Sequence, residues 1–105
     1  MADQVTPAAI TLDDLRARRA EILALAEKYG AYNVRIFGSV ARGDAAAASD
    51  IDFLVTFQPW ASLYEIAGLK RELEERLGCE VDVVEDHAGV RARFRERIAK
   101  DVVTL

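Results

Sequence analysis

The sequence predicts a small α/β (α+β) domain in which helices pack on one face of a sheet. Three observations carry this. Two helical stretches are marked by caps and apolar spacing, and short segments alternate polar and apolar residues with a period of two. The elements also follow one another as helix, strand, strand, helix, strand, helix. A length of 105 residues, 51% of them hydrophobic, supports one core and leaves little room for a second domain.

Residues Met1 to Ile10 have no sustained periodicity and contain Pro7, so they read as a flexible lead-in to a single domain over 11–105. Thr11, with Asp14 three residues on, predicts a helix start. Leu12, Leu15, Ile22, Leu25, Ala26 and Tyr29 supply its apolar stripe, and Gly30 its stop. Asn33 to Phe37 reads as a strand running into a tight turn at Gly38-Ser39. In Ile51 to Phe57, Ile51, Phe53, Val55 and Phe57 share one face, while Asp52, Leu54 and Thr56 share the other. Pro59 ends that strand. Ser62 with Glu65 forms a capping box, followed by Leu63, Ile66, Leu69, Leu73 and Leu77 at helical spacing and by Gly78 as the stop. Glu80 to Val84 predicts a third strand, with Val81 and Val83 turned away from Glu80, Asp82 and Val84. Val90, Phe94 and Ile98 mark a last helix amid arginines, and Val102 to Leu105 a short edge strand. Ala45 to Ala48 reads as a plain loop.

A net charge of −4 argues against a broad nucleic-acid footprint. The lone Cys79 cannot form an internal disulfide, no signal peptide is evident and no apolar run is long enough to span a bilayer. A soluble, reduced, cytoplasmic setting is therefore expected. His87 has no second ligand at metal spacing and reads as a loop residue. Cys79 reads as a small apolar filler. Trp60 is either a lid over the core or an anchor for a partner. The arginines from Arg91 to Arg97 read as a solvated helix face.

The chemistry is concentrated in three places. Asp50 and Asp52 are two apart, so their carboxylates project from the same side. Their repulsion is relieved by a proton or by a cation, and paired carboxylates suit Mg²⁺ bound together with substrate phosphates. An Asp-x-Asp alone also reads as a turn cap at Asp50 with Asp52 solvated on an edge strand. Gly38-Ser39 precedes the pair: a glycine lets backbone N–H groups approach phosphate oxygens, and a helical turn starting there aims its positive end at them. Arg42, one turn on, could reach a phosphate or pair with Asp44 or Asp50. Asp82 is a charge in an apolar strand. It joins the other two carboxylates only if its strand lies beside Ile51 to Phe57 with the polar faces aligned.

Taken together, Gly38-Ser39-Val40-Ala41-Arg42-Gly43, Ser49-Asp50-Ile51-Asp52-Phe53-Leu54-Val55 and Glu80-Val81-Asp82-Val83-Val84 resemble the minimal nucleotidyltransferases of the DNA polymerase beta superfamily. Within that superfamily the chain resembles the MNT-type antitoxins encoded beside HEPN-domain toxins. The resemblance implies a polymerase-beta-like mixed sheet, ATP as donor and two Mg²⁺ ions held by Asp50, Asp52 and Asp82. Asp82 would also help deprotonate the attacking hydroxyl. Gly38, Ser39, Arg42 and Ser49 are implied to bind the nucleotide. It further implies transfer of AMP to a hydroxyl, a tyrosine of the partner HEPN toxin, in a hetero-oligomer with no membrane and no direct nucleic-acid contact. The spacer Asp44-Ala45-Ala46-Ala47-Ala48 is plainer than in relatives but touches no inferred ligand.

Two other functions compete with this one. The first is a binding module that neutralises a toxin by masking it. The second is an enzyme acting on RNA ends or a small antibiotic, which would need an extra domain. A further expectation is that the sheet face carrying Asp50, Asp52, Leu54, Asp82 and Val84 is poorly covered, so that Leu54 and Val84 would offer a docking surface.

Overall fold

The computed structural model describes residues 10–44, 50–87 and 101–105. Its elements are α1 (Leu12–Ala17), α2 (Arg19–Lys28), β1 (Ala31–Phe37), α3 (Gly38–Arg42), β2 (Ile51–Phe57), α4 (Leu63–Leu77), β3 (Val81–Glu85) and β4 (Val103–Thr104). The sheet order is β3-β2-β1-β4. β1 runs antiparallel to β2 and β4, and β2 runs parallel to β3, so the sheet is mixed as expected. The expected last helix, with Arg91 to Arg97, and the Ala45 to Ala48 loop lie outside the described residues, as do the first nine residues of the lead-in.

Helix α4 follows its local signals closely. The Ser62 hydroxyl accepts from the Tyr64 N–H, Glu65 reaches back to the Ser62 N–H, and Gly78 closes the helix at φ 72°. Its stripe of Leu69, Leu73 and Leu77 is buried, each side chain contributing about 1.5–3 kcal/mol by leaving water. Those leucines meet Leu15 of α1 and Ile22 and Leu25 of α2 over Ile36, Ile51, Phe53, Val55 and Val81 of the sheet. The helices and the apolar sides of the strands thus form one core on one sheet face.

The first helix departs from expectation. It breaks at Arg18 (φ −107°, ψ 20°), where the N–H turns back to the Leu15 carbonyl in a tightened turn. Either side of the break, Arg16 donates to the Thr104 carbonyl and Arg19 to that of Leu105. The two arginines tie α1 and α2 to the C-terminal strand, a long-range contact that apolar spacing does not encode.

β1 begins two residues earlier than its alternation suggests, because a bulge interrupts the pattern. Tyr32 faces Thr56 and Arg35 faces Leu54, so β1 carries one extra residue there. Asn33 absorbs it at φ 52°, a left-handed conformation that asparagine tolerates better than most residues. As a result Ala31 and Val34 are both buried, as is Ile36.

The opposite sheet face is less open than expected. Leu54 is only 5% exposed and Val84 is partly buried, so Leu54 is no docking residue. Arg35, directly across from Leu54, extends along this face to Asp86 at 2.9 Å and to the Thr56 hydroxyl at 3.4 Å. Trp60 is 62% exposed, yet its ring lies against Gly30, so it lids one end of the fold only partially. Among the described residues no helix is long and apolar enough to cross a membrane.

Candidate active site

The parallel pairing of β2 with β3 supplies the alignment that the sequence left conditional. Asp52 stands opposite Asp82, and on the other side Phe37 stands opposite Asp52. Phe37, Asp52 and Asp82 therefore form one row across three strands, on the face away from the helices. Asp50 lies just before β2, exposed, and its charge acts on Asp52. Asp52 is half-buried and Asp82 exposed.

Burial pushes the Asp52 carboxyl up to about 6, helped by the charges of Asp82 and Asp50 and by a hydrogen bond with Asp82; Arg42 offsets part of the shift. Two carboxyl groups sharing a hydrogen bond hold a proton between them. A divalent cation can take the place of that proton.

Gly38 turns the chain from β1 into the single turn of α3 at φ 77°, in the left-handed region. A Cβ at this position would overlap the Asp52 carboxyl group, so glycine is required for conformation and for contact. Ser39 follows, partly exposed, and Gly43 ends the turn at φ 83°. The strand-to-helix turn and the carboxylate row are thus in direct contact. Arg42 forms ion pairs with Asp44 at 3.2 Å and with Asp101 at 3.4 Å. The pairing with Asp44 was one of the expected alternatives, and Asp101 was not foreseen. Ser49 lies outside the described residues.

The donor set suits Mg²⁺. Among the described residues no three acidic, histidine or cysteine side chains close into a ready-made cage. Mg²⁺ is ordinarily held by one or two carboxylates, with waters and substrate phosphates completing its shell, and the Asp52–Asp82 pair meets that description. His87 is exposed beyond the end of β3. Cys79 packs partly against the core, and burial raises its thiol pKa, in keeping with a filler.

The model of the nucleotidyltransferase domain matches residues 21–104, which takes in β1 to β4 and every residue of the carboxylate row. The chain belongs to the nucleotidyltransferase family of enzymes. It is 39% identical over 87 residues to a candidate protein adenylyltransferase of Methanocaldococcus jannaschii, covering 83% of this chain and 92% of that one. To the protein adenylyltransferase MntA of Thermococcus cleftensis it is 34% identical over 97 residues, covering 91% and 93%. The solved structure of a candidate minimal nucleotidyltransferase superposes with a TM-score of 0.77 at 44% identity, over 90% of this chain and 96% of that one. A toxin–antitoxin structure containing AMP-PNP shares the fold, with a TM-score of 0.64 at 20% identity, over 81% of this chain and 69% of that one.

Two features of the site escaped the sequence. In sequence Phe37 looks like no more than the end of a strand, and Lys70 and Glu74 of α4, which bind the backbone beside Asp82, look like an ordinary helix-surface pair. Their i, i+4 spacing was visible, but their reach to β3 was not.

Proposed function

We propose that this protein is a Mg²⁺-dependent protein adenylyltransferase that transfers AMP from ATP to a tyrosine hydroxyl of a HEPN-domain toxin, acting in the cytoplasm as its antitoxin. The observation that carries the reading is the row of Asp52 and Asp82 in contact with the Gly38 turn. The names of the relatives support protein as the acceptor, and the toxin–antitoxin structure with AMP-PNP supports the partner class.

Asp50, Asp52 and Asp82 would hold the magnesium, which would supply charge neutralisation at the triphosphate. Backbone N–H groups after Gly38 and the Ser39 hydroxyl would cradle the phosphates, with Arg42 at their rim, and the family resemblance assigns Ser49 to the nucleotide as well. Asp82, the exposed member of the carboxyl pair, faces the side from which an acceptor can approach and takes up its hydroxyl proton. The acceptor oxygen bonds to the α-phosphorus, the bond from that phosphorus to the bridging oxygen breaks, and pyrophosphate leaves.

The test is incubation of the protein with α-labelled ATP, Mg²⁺ and the product of the adjacent reading frame. Label is expected on a tyrosine of that protein and should disappear with EDTA. Neutralisation of the toxin with no label transferred would replace catalysis by masking.

A further inference from the structure

Strand β3 carries Asp82 at an edge of the sheet, with β2 on one side only. The Glu80 carbonyl accepts from the Ile51 N–H and the Asp86 N–H donates to the Val55 carbonyl, so the even-numbered peptide groups of this segment face β2. Those of Val81 point the other way, to the open edge, where a polar group exposed to exchange with water gives a strand little hold. Here both are occupied by side chains of α4. The Glu74 carboxylate accepts from the Val81 N–H at 3.1 Å, and the Lys70 ammonium donates to the Val81 carbonyl at 2.8 Å. Lys70 and Glu74 also bond to each other at 2.8 Å, closing a ring of three contacts on one residue.

We propose that Lys70 and Glu74 are positioning residues of the carboxylate site, clamping both peptide groups of Val81 so that Asp82, the next residue, is held opposite Asp52. The proposal rests on the reading of Asp52 and Asp82 as metal-holding groups. The clamp does for an edge strand what a further strand would do, and it acts one residue from the carboxylate whose position matters. It also anchors the site to a helix seated in the core: Leu69 and Leu73, beside Lys70 and Glu74 in the chain, are 1% and 2% exposed. The positive charge of Lys70 lies near Asp82 and Glu80 as well, so the same group offsets acidic charge at the start of the strand.

The test compares Lys70→Met, Lys70→Arg, Asp52→Asn and Asp82→Asn with the parent. It reads Mn²⁺ affinity in the presence of ATP by electron paramagnetic resonance, the exchange rate of the Val81 amide by NMR, and kcat and KM for α-labelled Mg-ATP with the product of the adjacent reading frame as acceptor. Lys70→Met is expected to weaken Mn²⁺ about tenfold and lower kcat by a similar factor with KM little changed, as loss of a group that orients a ligand does. Exchange at Val81 should accelerate ahead of the core amides, and Lys70→Arg should restore most of the affinity. A role in stability alone would raise exchange throughout the fold and leave affinity and kcat at parental values below the melting transition, and that result overturns the proposal. If Lys70→Met does not fold, Glu74→Gln, which keeps an acceptor for the Val81 N–H but not the charge that holds Lys70, decides in the same way. Undiminished Mn²⁺ affinity in Asp52→Asn and Asp82→Asn would instead remove the reading beneath the proposal. Loss there with parental behaviour in Lys70→Met removes the clamp alone.

Discussion

Asp52 and Asp82 stand side by side on parallel strands with their carboxyl groups joined by a hydrogen bond, an arrangement that lets Asp52 keep its proton up to about pH 6. With its pKa raised to about 6, Asp52 favours the folded state when protonated. That contribution is fully present below the unfolded carboxyl pKa and is lost as pH rises through the folded one. In EDTA, Asp52→Asn should therefore melt like the parent near pH 4 and above it at pH 7, by about 1–3 kcal/mol of stability. Melting curves of the pair across this range measure it, and a constant difference would show that Asp52 carries no such strain.

The same repulsion predicts how nucleotide binds. ATP phosphates and these carboxylates repel without a cation, so ATP alone should leave the melting temperature unchanged. ATP with Mg²⁺ should stabilise the fold by about 2.7 kcal/mol at a hundredfold excess over Kd. Differential scanning fluorimetry with and without EDTA separates these, and an equal shift in both would contradict a metal-bridged site.

Gly38 and Gly43 flank the same helical turn with φ values of 77° and 83°, but only Gly38 abuts the Asp52 carboxyl group. Gly43→Ala should cost about 1 kcal/mol from backbone conformation and retain Mg-ATP binding. Gly38→Ala should cost more, roughly 2–3 kcal/mol, and abolish binding because Asp52 must move. Chemical denaturation and calorimetry on the two variants make the comparison, and equal effects would mean that Asp52 does not depend on the contact.

Arg35 and Asp86 form an ion pair at 2.9 Å with side chains 16% and 8% exposed, on the face that carries the carboxylate row. Removing one partner from a pair so nearly buried usually costs several kcal/mol. Arg35→Met should lower stability by about 2–3 kcal/mol at pH 7. Urea titration reads the loss, and a change below about 0.5 kcal/mol would place the pair among the weak surface bridges.

Legibility in the sequence followed the range of the interactions. Ser62 acts on Glu65 three residues on and Gly78 on Glu74 four residues back, so both ends of α4 can be read directly, and the alternation in Ile51 to Phe57 marks the two faces of β2. The three candidate carboxylates are identifiable by type and spacing. The meeting of Asp52 with Asp82 is not, since it depends on β2 and β3 pairing in parallel. Arg42 finds Asp101, a partner 59 residues away, and Arg16 finds Thr104, 88 away. Leu54 was misjudged because alternation assigns a side chain to a face but says nothing about what extends over that face from the next strand.

The bulge at Asn33 has a consequence for how the molecule can vary. By adding one residue it resets the inside–outside parity of β1, so the stretch before it and the stretch after it keep separate accounts of which side chains point inward. A change in the loop that enters β1 can be taken up there without turning Phe37 and Gly38 over. The end of the sheet that carries Tyr32 and lies near Trp60 is thereby insulated from the end that carries Gly38, and the two can diverge on different schedules within a single short strand.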